Sequence, residues 1–222
     1  MPPVYLSTAY LAPVRYYCKL MAYESVMMEA CERYIKQTYR NRCMIATANG
    51  VQTLSIPIKN PASLGDPLST VNCPLSIVKD IRISDHGKWQ HTHWHALVSA
   101  YGMSPFFEYY EEDFAPFYHQ KYNFLFDWNE QLRMTVCALL DIQPLMDYST
   151  VYRPAVPNDY REGIRPKYPD IDNTFSPKPY YQVFQDKHGF IPNLSIIDLL
   201  FNMGPEAVFV LRQSVVDFSI SH

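Results

Sequence analysis

Residues 88–110, KWQHTHWHALVSAYGMSPFFEYY, decide whether the middle of this chain is sheet or helix. In a strand, side chains alternate, and His91, His93 and His95 would line one face. In a helix, at about 100° per residue, His91 and His95 share a face while His93 points nearly opposite. HALVSAYGM continues at helical spacing, and Trp89, His93, Ala96, Leu97 and Ala100 then fall on a common side. The spacing predicts a helix over 88–102, with His93 turned inward and His91 and His95 toward solvent. An HxxxH pair without the intervening Glu of a metalloprotease needs a third ligand, and nothing in the sequence points to one, so no metal site is expected.

Outward from this helix, further helices are expected over about 105–120 and 122–140, the second carrying Phe126, Leu132, Val136, Leu139 and Leu140. Upstream, VYLSTA (4–9) reads as a buried strand running into a loop stiffened by Pro13. RYYCKLMA follows as a helix and SVMMEA (25–30) as a second strand. CMIATANGVQTLSIPI (43–58) is a hairpin, for which Asn49-Gly50 offers the positive φ angles of a type I′ turn. Residues 59–76 concentrate Pro, Ser and Gly, as a surface loop that could act as a lid, and IVKDIRIS returns to strand alternation. Beyond Asp141 prolines recur at 144, 154, 157, 166, 169, 177 and 179, until LSIIDLLFNMGP suggests a helix capped by Ser195, with Asp198 three residues on, and ended by Gly204-Pro205.

These elements imply an α/β or α+β fold, a small mixed sheet with one β-hairpin covered by central helices. Residues 1–142 form the core and 143–222 a Pro-rich extension with a short docked terminal helix, all within one domain.

A net charge of −3 over 222 residues lacks the basic field that nucleic-acid binding requires. The start, MPPVYLSTAY, is not a secretion signal, and no apolar run approaches the ~18 residues of a membrane span, so a cytoplasmic location is expected. Five cysteines without CxxC spacing read as reduced, mostly buried thiols. Eighteen tyrosines suit a half-wet cleft that grips a polar ligand, and equally suit the cover of a modest core. The chain contains no GxGxxG, GxxxxGK[ST] or GxSxG motif, and its seven glycines make a glycine-rich phosphate cradle improbable, so the motifs identify no cofactor.

Two places carry chemistry. ERYIKQTYRNRC (32–43) sets Arg33, Lys36, Arg40 and Arg42 among Tyr34 and Tyr39, with Asn41 between two arginines, groups that can hold a carboxylate or phosphate. The same residues can be a solvated connection paired with Glu29 and Glu32. His93, set among aromatics, can move a proton or be a hydrogen-bonded core residue. The acidic run Glu111, Glu112 and Asp113 reads as a solvated helix face.

In succession, AYLAPVRYY (9–17), VMMEACERYIKQTYRNRCMI (26–45), LSIPI (54–58), WQHTHW (89–94) and AYGMSPFFEYY (100–110) resemble the WbqC-like protein family. The chain departs at Ser7-Thr8-Ala9, where the family commonly has Gln-Pro. The resemblance implies a transferase of surface-polysaccharide (O-antigen type) biosynthesis, with glycine or another aminoacyl group as one cargo. Matching positions are Tyr10, Pro13, Tyr16, Glu29, Lys36, Asn41, Arg42, Trp89, His93 and Tyr101. On this reading His93 and Glu29 are catalytic, Lys36, Asn41 and Arg42 hold an anionic group, and Tyr10, Tyr16, Trp89 and Tyr101 shape the pocket. The expected partner is a small anionic molecule or nucleotide-sugar. The competing readings are a non-catalytic nucleotide-sugar binding module and an interaction subunit whose tyrosine-rich surface forms a homodimer interface.

Overall fold

A computed structural model describes residues 2–59, 77–167 and 172–216. Strand β1 (Val4–Ser7), buried along its whole length, leads through the Pro13 loop into helix α1 (Val14–Ala22) and then strand β2 (Ser25–Glu29). The two strands pair in parallel, Val4 opposite Val26 and Ser7 opposite Glu29. Parallel neighbours need a crossover, and α1 provides it.

The hairpin follows as β3 (Arg42–Thr47) and β4 (Gly50–Ser55), then α2 (Trp89–Tyr101), α3 (Phe107–His119) and α4 (Leu125–Leu139). Only after this excursion does β5 (Leu145–Tyr148) add in parallel to the far side of β2, giving the order β1-β2-β5. The mixed α/β class therefore holds, with parallel pairing in one sheet and antiparallel pairing in the separate hairpin. β5 was not expected. Its four residues are half-buried or exposed, so they lack the apolar signal of a buried strand.

Three local expectations need correction. Residues 77–84 form no continuous strand but a 3-10 turn (Val78–Asp80) followed by single bridges, Ile58 with Ile83 and Arg82 with Phe124. The spacing of buried Val78, Ile81 and Ile83 serves that turn and the short extended piece after it. In the hairpin, Thr47 pairs with Gly50, so the loop is Ala48-Asn49 and neither residue has positive φ. Gly50, at φ 104°, relieves the chain just after the turn, which is not type I′. Ser195 precedes helix α6 (Ile196–Met203) without capping it, because its hydroxyl donates to the Leu11 carbonyl at 2.7 Å.

Helix α6 ends at Gly204 as expected, and a further helix continues the chain after a short α5 (Gln185–His188) upstream, namely α7 (Ala207–Ser214). α1 packs on both α6 and α7. Backbone bonds from Val14 to the Leu194 carbonyl and from Ile196 to the Ala12 carbonyl pin this docking. The loop expected at 59–76 lies, except for Lys59, outside the described residues. Cys18, Cys43 and Cys137 are buried free thiols, Cys31 is half-buried, and Cys73 lies outside the described residues.

Candidate functional site

The Pro-rich return does more than extend the core. Residues 158–160 run beside β1 in its own direction, with the Tyr5 amide donating to the Asn158 carbonyl and the Tyr160 amide to the Tyr5 carbonyl, both at 3.0 Å. Continuing two residues beyond Asp159, which bridges Tyr5, places Arg161 level with the end of β1. The carboxyl edge of the sheet, where α/β proteins commonly bind ligands, thus gathers Ser7, Glu29, Glu32, Arg40, Ser149 and Arg161.

These side chains form two linked ion-pair sets. Arg40 grips Glu32 with both arms, Nε to Oε1 at 2.8 Å and Nη2 to Oε2 at 2.6 Å, and also reaches Ser7 Oγ and the half-exposed Glu162. Arg161 donates to Glu29 Oε2 at 2.8 Å, holds Asp159 through two further bonds, and caps the Arg153 carbonyl. The Ser7 hydroxyl, bonded to both Glu32 and the Arg161 carbonyl, joins the two sets. Arg40, Glu32, Glu29 and Arg161 are 2, 4, 0 and 3% exposed, so each charge depends on its partner rather than on water. Hydrogen bonds from Arg161 hold the Asp159 carboxyl below its ordinary range against the opposing effect of burial.

Three cavities open around this edge. A cleft of about 670 Å³ is lined by Cys31, Glu32, Arg33, Ile35, Ile77, Tyr152 and Glu162. Behind the Arg40 pair lies a space of about 10 Å³, the size of one water, walled in part by Tyr16, Arg161 and Thr8, whose buried hydroxyl has no hydrogen-bond partner among the described residues. A recess of about 130 Å³ is bounded by Tyr5, Met27, Ser149 and Arg153 among others.

Of the residues singled out in the sequence, Glu29 and Tyr16 stand at this edge, the latter donating to the Ser7 carbonyl at 2.9 Å. His93, Tyr10 and Trp89 form a different group. Tyr10 Oη bonds His93 Nδ1 at 3.0 Å and Tyr118 Oη at 2.9 Å, and Trp89 meets the imidazole edge-on at 5.1 Å. The ring also bonds the Ser55 backbone. A neutral imidazole protonated on Nε2 satisfies both contacts. Burial drives its pKa down to about 4, and the ring lines none of these three cavities.

Tyr101 lies elsewhere again, donating to Asp198 at 2.9 Å and accepting from the Ala46 amide. Asn41 Nδ2 holds the Ile56 carbonyl, and among the described residues neither Asn41 Oδ1 nor Nε of the half-buried Arg42 has a partner. Lys36 is exposed. The end of the arginine loop does come near His93, whose ring bonds the backbone of Ser55, the residue opposite Arg42 in the hairpin, but His93, Asn41 and Arg42 line none of these three cavities. Within that loop Arg40, not Arg42, is the sequestered cation. Ser7, Ser149 and Arg161 were missed, the last because only the parallel pairing of 158–160 brings it in. His91 and His95 meet on the exposed face of α2, Nε2 to Nε2 at 2.9 Å, and no three metal-ligating side chains converge among the described residues.

The chain is thus a small α/β protein with a cleft of mixed charged and apolar lining at the carboxyl edge of a three-stranded parallel sheet. It belongs to the WbqC-like protein family, whose model matches residues 8–160 and 155–209. It is similar to the uncharacterized protein Rv1507c of Mycobacterium tuberculosis (strain ATCC 25618 / H37Rv), 25% identical over 232 residues, covering 90% of this chain and 93% of the other. No solved structure matches it. No helix among the described residues is long and apolar enough to cross a membrane.

Proposed function

We propose that the chain binds a nucleotide-activated sugar in the 670 Å³ cleft and carries out group transfer on it. The observation that carries this reading is the make-up of the cleft wall. The half-exposed Glu162 offers a carboxylate acceptor for sugar hydroxyls, Tyr152 gives an aromatic face, and Arg33 stands at the rim without a side-chain partner among the described residues. Because the buried arginines are already paired with carboxylates, an anion as such has little claim on them. A phosphate fits Arg33, with exposed Lys36 on the same loop adding to the positive rim.

In this reading Glu29, buried beneath the cleft, is the acid–base group, and Tyr16, on the one-water space behind the Arg40 pair, backs the wall. His93, sealed between Tyr10 and Trp89, positions the loop that follows β1. The transfer step, its setting in surface-polysaccharide assembly and an aminoacyl cargo draw their support from the family alone. A second reading, a binding module without turnover, is favoured by the fact that the charges of both buried ion-pair sets are paired with one another, which leaves none of them poised for chemistry.

Thermal unfolding in the presence of nucleotide-sugars, free nucleotides and free sugars tests the proposal. A ligand at 100 times its dissociation constant stabilises by about 2.7 kcal/mol. A nucleotide-sugar should raise the melting temperature more than either half alone, and Arg33→Ala should remove most of that rise. No shift with any nucleotide-sugar would overturn the reading, while binding without product for any acceptor would select the module.

A further inference from the structure

The end of β5 presents a hydroxyl to a buried carboxylate. Ser149 Oγ donates to Glu29 Oε1 and accepts from the Ala30 amide at 2.9 Å. Glu29 is fully buried, and its other contacts are fixed, with the Cys31 amide on Oε1 at 2.9 Å and Arg161 on Oε2 at 2.8 Å. The carboxylate cannot swing away from the serine. Ser149 itself is half-buried and lines the 130 Å³ recess, as do Val151 and Arg153. Tyr152, between them, lines the larger cleft instead. Residues 148–151 and 153 thus border the recess, Tyr152 turns to the larger cleft, and Glu29 is buried behind Ser149. Arg153 has an exposed side chain without a partner among the described residues, while its carbonyl is anchored by Arg161.

We propose that Ser149 is an acyl-accepting nucleophile with Glu29 as its base, and that the recess takes an activated carboxylic ester or thioester. A hydroxyl is a weak nucleophile until an adjacent base takes its proton, and here the base is already hydrogen-bonded to it. In the step, the bond from Ser149 Oγ to the acyl carbon forms as the hydroxyl proton passes to Glu29. The bond from that carbon to the leaving oxygen or sulfur then breaks, and the leaving group takes the proton from Glu29. The products are an ester on Ser149 and the released alcohol or thiol. Arg153 supplies positive charge where the carbonyl oxygen becomes negative. The proposal deepens the transfer reading above, since the ester can pass its acyl group to a sugar hydroxyl or amine held in the cleft.

Ser149 could instead serve only to clip β5 to β2, and labelling separates the two. The full chain is incubated with p-nitrophenyl acetate, and the site of acetylation is mapped by peptide mass spectrometry. Acetyl on Ser149 in the unaltered protein is expected, with Glu29→Gln slowing its appearance about tenfold or more, as loss of general-base catalysis requires. Ser149→Ala should abolish the label. Should that variant fail to fold, Ser149→Cys replaces it and should be acylated at the same position. Absence of label on Ser149, or an unchanged rate in a folded Glu29→Gln, overturns the proposal. The assay contains no nucleotide-sugar, so its failure and a failed thermal shift are separate results.

Discussion

At position 93 the neighbours decide what an imidazole does. Tyr10 donates to one nitrogen, the Ser55 carbonyl takes the proton of the other, and rings close the sides. The folded protein keeps His93 neutral down to about pH 4, whereas the unfolded chain protonates it near 6.5. Between those values the unfolded state binds more protons, so stability falls as pH falls from 6.5 to 4, by at most about 1.4 kcal/mol per pH unit from this group. His93→Gln can keep both hydrogen bonds without titrating. Urea unfolding across that window should therefore show a shallower loss for the variant than for the parent. The inward direction of His93 was legible from helical spacing alone. The choice between Arg40 and Arg42 was not, because the run around them carries no apolar periodicity and only the fold shows that Arg42 opens β3 while Glu32, Ser7 and Glu162 surround Arg40.

Among the elements, those with strong local signals were legible and those made by pairing were not. The helices at 89–101, 107–119 and 125–139 follow apolar spacing, and the hairpin follows its β-type runs about Asn49-Gly50. β5 and the 158–160 segment carry little apolar periodicity and exist because strands already in place offer them free backbone groups. Helix α6 ends where glycine said it would, for a reason that exceeds chain direction. Gly204 sits at φ 55°, ψ −131°, and a Cβ there would lie 2.5 Å from the Phe106 ring. Gly204→Ala combines backbone strain with a clash and should destabilise by about 2 to 4 kcal/mol, measured by chemical denaturation. A shift under about 0.5 kcal/mol would mean that this turn yields easily.

The whole molecule is tied together by Asp198. Buried in α6, it accepts from Tyr101 of α2 at 2.9 Å, from Tyr180 at 2.7 Å and from Gln182 at 2.8 Å, while Tyr101 accepts from the Ala46 amide of the hairpin. Burial raises the pKa of the carboxyl, opposed by these three donors. Asp198→Ala strands all three donors and should cost about 3 kcal/mol or more, with Asp198→Asn recovering part of the loss in the same denaturation assay. The late position of Arg161 has a consequence for vectorial synthesis. Glu29 leaves the ribosome with its counter-ion still 132 residues away along the chain. Until that distant guanidinium emerges, the first strands cannot seal their acidic end, and mature tertiary structure must await synthesis at least as far as residue 161.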